Sequence, residues 1–462
     1  MMMKYLYLCI LLLLITVSCA DKHENPAGGN QAVDQFVFYG EPFQGVPSVD
    51  DMRIYSLSPR AFAKENALQV IRTRLDSIQM LNVNVIWILP IFLKSETRVP
   101  YGSPYSMRDF YKIDPEYGTV ADLRELVKDA HSRGMAVILD LITKHTGSDA
   151  EWIKTHPEWY KMKDLFTSPG FTPESYTDAA ELDWTNPEVT EELIRLMKYW
   201  VAVANIDGYR CDTARRVPEE IWSEAIDSLR NFQEGRKIIM LAEVEHASYL
   251  EAGFDLNYGW PFHTAMVKVF DGTKSVKHLF NKHTEELDST VLFKDKKARM
   301  RFSTSHDYMA TESPLTMFNS LDGSYAAFVI AITMGGVPMI YSSQEIGYPV
   351  KLSFFQTGAV VMDWDSNTDV FRTYCKFMEI AGDPVLRLGS LTRIENDDVV
   401  SFVREYEGRK ILVLVNVRSR TVEFNLSEEY RNSSYIDMMT GMDFGFTSNT
   451  LSPYEYHILK FR

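Results

Sequence analysis

Cysteine is scarce, with only four in 462 residues. Cys9 lies inside an apolar leading run, Cys19 ends it, and Cys211 and Cys375 fall at positions that read as buried. No disulfide framework is implied. Positive charge is also short, 48 Lys and Arg against 63 Asp and Glu, which leaves a net charge of −15 and a pI near 5.2. Neutralising phosphates needs a basic face, so nucleic acid is excluded as a partner and a neutral or small substrate fits better. There is no internal repeat, and no low-complexity segment beyond a polar tether at 20–48. Apolar content is ample, 45% hydrophobic and 13% aromatic, enough for one large domain and a smaller one.

Lys4, the apolar run from Leu6 to Val17 and the pair Ser18-Cys19 read as an export signal over 1–19, too short for a spanning helix. The small residue before cysteine resembles a bacterial lipobox. That likeness implies a lipid on Cys19 and an exported cell-envelope lipoprotein held to a membrane, facing the periplasm or the cell surface. An ordinary cleaved signal is the alternative.

From 49 onward the pattern alternates strand and helix. Buried strands are expected at 52–57, 83–90, 135–142, 206–212, 237–243, 253–258, 300–305 and 337–342. Between the first two, 66–81 reads as an amphipathic helix, and 123–133 as another stopped by Gly134. Asn186-Pro187-Glu188 opens a further helix, with an Asn cap, Pro at the first position and an apolar stripe of Val189, Leu193, Leu196, Met197 and Trp200. Eight such strands imply an α/β fold, a (β/α)8 TIM barrel over 49–384 with a short insertion at 146–185 after the third strand. Over 385–462 the helical period disappears, and strand-like runs at 399–405, 410–417 and 421–426 predict a C-terminal antiparallel β-sandwich.

Ile206-Asp207-Gly208-Tyr209-Arg210-Cys211-Asp212 organises the chain, because it reads as a buried strand delivering a carboxylate to the barrel rim where chemistry is done. Taken alone, Asp212 could as well cap a helix or pair at the surface. Two more strands also end in acids, at Glu243 and at Asp307 in Ser305-His306-Asp307. Like charges gathered on one rim raise one another's pKa, which is tolerated where a proton must be given and taken. Two carboxylates about 5 Å apart serve retaining glycoside hydrolysis, one as nucleophile and one as acid then base.

With these residues in place the chain resembles the α-amylase family, glycoside hydrolase family 13, from about Arg53 to the C-terminus. The motifs are Asp140-Leu141-Ile142-Thr143-Lys144-His145, Gly208 to Asp212, the surroundings of Glu243, and Ser305-His306-Asp307. Leu182-Asp183-Trp184 and Gly336 to Tyr341 with Gln344-Glu345 match more weakly. The resemblance implies Asp212 as nucleophile, Glu243 as acid/base and Asp307 as the residue that holds and distorts the sugar. It further implies Arg210 beside Asp212, His145 and His306 donating to ring hydroxyls, and Tyr105 stacking on the ring. The substrate would be an α-glucan oligosaccharide or polysaccharide, with no cofactor.

Departures from the family pattern carry their own expectations. Lys144 stands where an Asn usually ligates calcium, and Arg216 where a His lends its carbonyl, so neither calcium nor another metal is expected there. Lys144 could instead pair with Asp178 or Glu181. Ser305 replaces an Asn beside the third acid. No module of the kind seen in some dextrin-ring-opening members is expected before the barrel. Trp152, Trp159, Tyr160, Phe166 and Phe171 in the insertion, and Phe354, Phe355 and Trp364 after the last strand, either stack sugars or pack the loops.

Overall fold

In the computed structural model the described residues are 36–96, 103–161, 179–287, 297–353 and 361–462. Cys19 and the signal, together with Phe166, Phe171, Asp178, Phe354 and Phe355, lie outside them. Phe36 to Arg462 forms one compact unit.

Eight apolar runs form the barrel strands: β1 Ile54–Leu57, β2 Val85–Ile88, β3 Ala136–Ile142, β4 Gly208–Asp212, β5 Ile239–Ala242, β6 Leu256–Tyr258, β7 Ala298–Arg301 and β8 Val337–Tyr341. Each pairs in parallel with its neighbours, and Ile54 lies beside both Val85 and Met339, which closes the ring. All residues of β3 and β4 are buried. Parallel strands are covered on both sides, so their sequences read as continuous apolar runs.

Most strands are trimmed by one or two residues at an end, and two depart by three or more. β6 begins at Leu256, because Gly253 adopts φ +115° in a turn and Asp255 is spent accepting from the Met240 N–H at 2.9 Å. β7 stops at Arg301, and Ser305 already precedes the short helix His306–Thr311. The helix expected over 66–81 is two, Ala67–Thr73 and Leu75–Met80. Thr73 bonds back to the Val70 carbonyl at 2.7 Å, a local bond that competes with the helical ladder. The helix Val120–Ser132 starts earlier than its apolar stripe, through a capping box of Thr119 and Asp122. Pro187–Ala204 is as read, with the Asn186 side chain accepting from the Glu188 N–H at 3.0 Å.

The tether read at 20–48 is not polar chain throughout. Phe36 and Phe38 pack against Phe232 at 5.7 and 5.0 Å, and Phe43 stacks on His131 at 4.2 Å. These partly buried aromatics fasten 36–46 to the barrel wall.

The insertion is a hairpin of His145–Gly147 with Ala179–Glu181, over a small core of Trp159, Tyr160, Ala180, Leu182 and Val189. Trp159 and Tyr160 are therefore packing residues, and Trp152 stacks on Phe110 at 5.3 Å. Trp364 likewise stacks on Phe62 at 4.3 Å.

After the barrel, six antiparallel strands follow in the order Ser390–Arg393, Val399–Tyr406, Arg409–Asn416, Tyr456–Phe461, Tyr435–Asp437, Asp443–Phe444. A two-stranded sheet, Val422–Glu423 with Thr450–Leu451, covers one face. There Val422, Phe424 and Leu451 meet Val399, Val403, Leu412 and Leu414. The alternate residues Val400, Phe402, Ile411 and Val413 join the barrel core. Both faces of the central strands are buried, which is why 411–415 is apolar at every position. Cys211 is buried as read, whereas Cys375 is only partly so.

Candidate active site

β4 begins where only glycine fits. Gly208 has φ +146°, and a Cβ there would lie 1.9 Å from the Ile239 carbonyl oxygen of β5. From it the side chains alternate. The Tyr209 hydroxyl donates to the Met197 carbonyl outside the barrel at 2.7 Å, while Arg210 and Asp212 point inward.

Arg210 is completely buried and ties three carboxylates together. Its Nη1 donates to Asp140 Oδ1 at 2.8 Å and Asp212 Oδ1 at 2.9 Å, and its Nη2 lies 2.8 Å from Glu243 Oε1. Nε reaches the Tyr258 hydroxyl at 3.2 Å, and the guanidinium carbon lies 5.2 Å from the centre of the Trp87 ring. A lysine could not serve three acceptors with this planar fork. The same cation leaves the cluster short of positive charge. Burial, opposed by Arg210 and reinforced by Asp212, pushes Asp140 up to about 7. Burial likewise pushes Glu243 up to about 8, against the pull of Arg210 and with the charges of Asp212 and Asp307 adding to it. Although Arg210 is in contact with Glu243, loss of solvent outweighs that contact, and Glu243 holds a proton at neutral pH.

Thr213, immediately after Asp212, has φ +42° and ψ +44°. Its N–H donates to Glu243 Oε2 at 2.5 Å and its hydroxyl to Asp212 Oδ2 at 3.2 Å.

Tyr105 and His306 close one side. The Tyr105 hydroxyl donates to Asp140 Oδ2 at 3.1 Å and lies 3.0 Å from His306 Nε2. Burial holds His306 down at about 4, so the ring is neutral at pH 7. His306 Nε2 is 3.4 Å from Asp307 Oδ1. Asp307 itself stands half exposed, with 49% of its side chain in solvent, at the mouth of the site. Ser305 makes no side-chain cap for the helix that carries it. His145 Nε2 is bonded to the Tyr105 carbonyl oxygen at 2.9 Å, which pins the Tyr105 loop to the end of β3.

Arg210, Asp212, Glu243, Tyr105, His306 and Asp307 are therefore gathered at one rim, with His145 beside them as an anchor. Asp140 and Thr213 join them without having been singled out. For Asp140 the signal was present, a carboxylate inside the apolar run Ala136 to Ile142. Behind β1 and β8, buried Glu345 accepts from the Tyr55 hydroxyl at 2.5 Å and is pushed up to about 7 by burial.

Calcium does not suit the residues at Lys144. That side chain offers only N–H donors, and Glu181 pairs with Lys161 at 2.5 Å, not with Lys144. At Lys144 the backbone carbonyl accepts from the Leu182 N–H at 3.0 Å. Among the described residues one trio could bring ligand atoms within 4.8 Å of one another, His156, Glu158 and Glu188. Trp159 already stacks on His156 at 3.9 Å and donates to Glu188 at 2.8 Å.

Over residues 57–173 and 171–387 the chain matches the alpha amylase catalytic domain, and over 390–458 the maltogenic amylase C-terminal domain. A cyclomaltodextrinase of Thermoanaerobacter pseudethanolicus is 30% identical over 392 residues, which is 78% of this chain and 65% of that protein. The chain thus spans slightly under two thirds of that relative. Alpha-amylase 3 of Dictyoglomus thermophilum is 23% identical over 458 residues, covering 83% of this chain and 88% of its own. A solved maltogenic alpha-amylase from Thermotoga neapolitana shares the fold with a TM-score of 0.77 at 23% identity, over 89% of this chain and 99% of that one. With its catalytic-domain match running from the end of β1 through β8, the chain belongs to the alpha-amylase family.

Proposed function

We propose that this protein is a retaining α-glucan hydrolase that cleaves α-1,4-glucosidic bonds of starch-derived oligosaccharides through a glucosyl-enzyme intermediate. The observation that carries the reading is one buried guanidinium shared by Asp212 and Glu243, with Glu243 pushed up to about 8. Sharing Arg210 keeps the two carboxyl groups side by side. That supports the close spacing of about 5 Å used for covalent chemistry over the wider one that admits a water between them.

Asp212, held by Arg210, attacks the anomeric carbon. Glu243 gives its proton to the departing glycosidic oxygen, and the resulting carboxylate then takes a proton from the water that releases the sugar. Asp307, half exposed at the mouth, accepts from sugar hydroxyls. Neutral His306 can donate to them without adding charge. The names of the relatives, cyclomaltodextrinase and alpha-amylase, support an α-glucan as substrate.

Incubation with maltooligosaccharides, cyclodextrins and starch, with product sizing and the anomer followed by NMR, tests the reading. Shorter products released with retained configuration support it. Products longer than the substrate would mark a transglycosylase, and binding without turnover a glucan-binding protein.

We further propose export and lipidation at Cys19, supported by the sequence of residues 1–19. Acyl chains bury about 0.8 kcal/mol per methylene, so the mature protein should partition with membranes. Release of the protein by Cys19→Ala supports the anchor, and a wholly soluble wild type argues against it.

A further inference from the structure

We infer that Thr213 is a positioning residue for both reacting carboxyl groups, an inference that rests on the roles proposed for Asp212 and Glu243. It lies between them in space. The backbone N–H takes one oxygen of Glu243, and the hydroxyl takes one oxygen of Asp212. The other oxygen of each faces Arg210. Three of the four oxygens accept a hydrogen bond from the protein, and the fourth, Glu243 Oε1, lies 2.8 Å from Arg210 Nη2.

The conformation shows that this arrangement is held against a cost. A β-branched residue at φ +42° is an outlier, since its side chain crowds the backbone in the left-handed region. Such strain persists where surrounding structure over-determines it. Here the surroundings are the Arg210 cluster on one side and the short turn Ala214–Arg216 on the other. The φ of Thr213 turns its side chain and the following chain relative to that N–H, so at ordinary helical or extended angles the hydroxyl would point elsewhere and Asp212 Oδ2 would lose its donor.

Two consequences follow for the chemistry. With Oδ1 of Asp212 committed to Arg210, Oδ2 is the oxygen left to attack, and the Thr213 hydroxyl sets the rotation of the carboxylate that aims it. In Glu243, Oε2 accepts from the Thr213 N–H, while Oε1 lies 2.8 Å from Arg210 Nη2 as a charge contact. The two contacts fix the carboxyl plane before substrate arrives.

Thr213→Val keeps the branched shape and removes the hydroxyl, and Thr213→Ser keeps the hydroxyl. Loss of a hydrogen bond to a charged group predicts that Thr213→Val lowers kcat on maltooligosaccharides about tenfold or more, with KM within about twofold. Thr213→Ser should stay within about threefold of the wild type in kcat. Thr213→Gly relaxes the backbone and loses the hydroxyl, so its melting temperature should hold or rise while kcat falls as in Thr213→Val. Equal kcat in the Val and Ser variants would overturn the inference, as would losses in kcat that track melting temperature. If Thr213→Val does not fold, the Gly and Ser pair decides by the same comparison. An inactive wild type would instead overturn the underlying reading of the site, so the two failures are distinguishable.

Discussion

Tyr105 lies parallel to His306, with ring planes 7° apart and centroids 5.8 Å apart, and its hydroxyl bridges His306 and Asp140. The tyrosine thus holds two polar groups of the site in register, in addition to any contact with sugar. Tyr105→Phe keeps the ring and removes the bridge. Losing a hydrogen bond to a charged acceptor predicts a fall in kcat/KM of about tenfold, with melting temperature lowered by a few degrees at most. Steady-state kinetics on maltotriose and a thermal melt check both, and an unchanged rate would mean that the hydroxyl is idle.

Asp212→Asn and Glu243→Gln should each reduce hydrolysis by about a thousandfold or more, because each removes a bond-forming or proton-transferring group at nearly constant shape. Circular dichroism should show the fold intact. Glu243→Gln should recover part of its rate on aryl glycosides with good leaving groups, which need little protonation. Turnover near wild type in either variant would refute the assignment.

Stability should depend on pH through the two raised carboxyls, Glu243 at about 8 and Asp140 at about 7. In the unfolded chain both ionise near pH 4, so between about pH 4 and 8 the native state binds more protons than the unfolded one. Stability from this source is present at low pH and declines as pH rises through that window. Denaturant melts of wild type and Glu243→Gln across pH 5 to 8 measure it. The variant should show the shallower decline, and parallel curves would show that Glu243 carries no such shift. The rate should fall on the alkaline side near pH 8 for the same reason, as the acid loses its proton.

Prolonged chelation should leave both rate and melting temperature unchanged. Lys144 brings a cation to the place of a calcium ligand, and Lys161 engages the neighbouring Glu181. A loss of either property that added calcium restores would overturn this.

Much of the protein is determined by local sequence. A buried parallel strand must be apolar on both faces and a covering helix on one, so the eight strands, the first three helical stretches and the acids Asp212 and Glu243 near strand ends can be read from the pattern, whereas Asp307 stands on a short helix after β7. The continuous apolar run at 411–415 also belongs to this class, although its second buried face is visible only once the barrel is there to cover it. Tertiary structure alone decided which polar atoms meet. Tyr105 and His306 are 201 residues apart, and closure of the ring from β1 to β8 brings them together. Glu181, read as a partner of Lys144, is engaged instead by Lys161. The left-handed turn at Thr213 has no signature in its own side chain, since threonine avoids that region. The partners of Thr213 are visible only in the fold, where its N–H meets Glu243 and its hydroxyl meets Asp212.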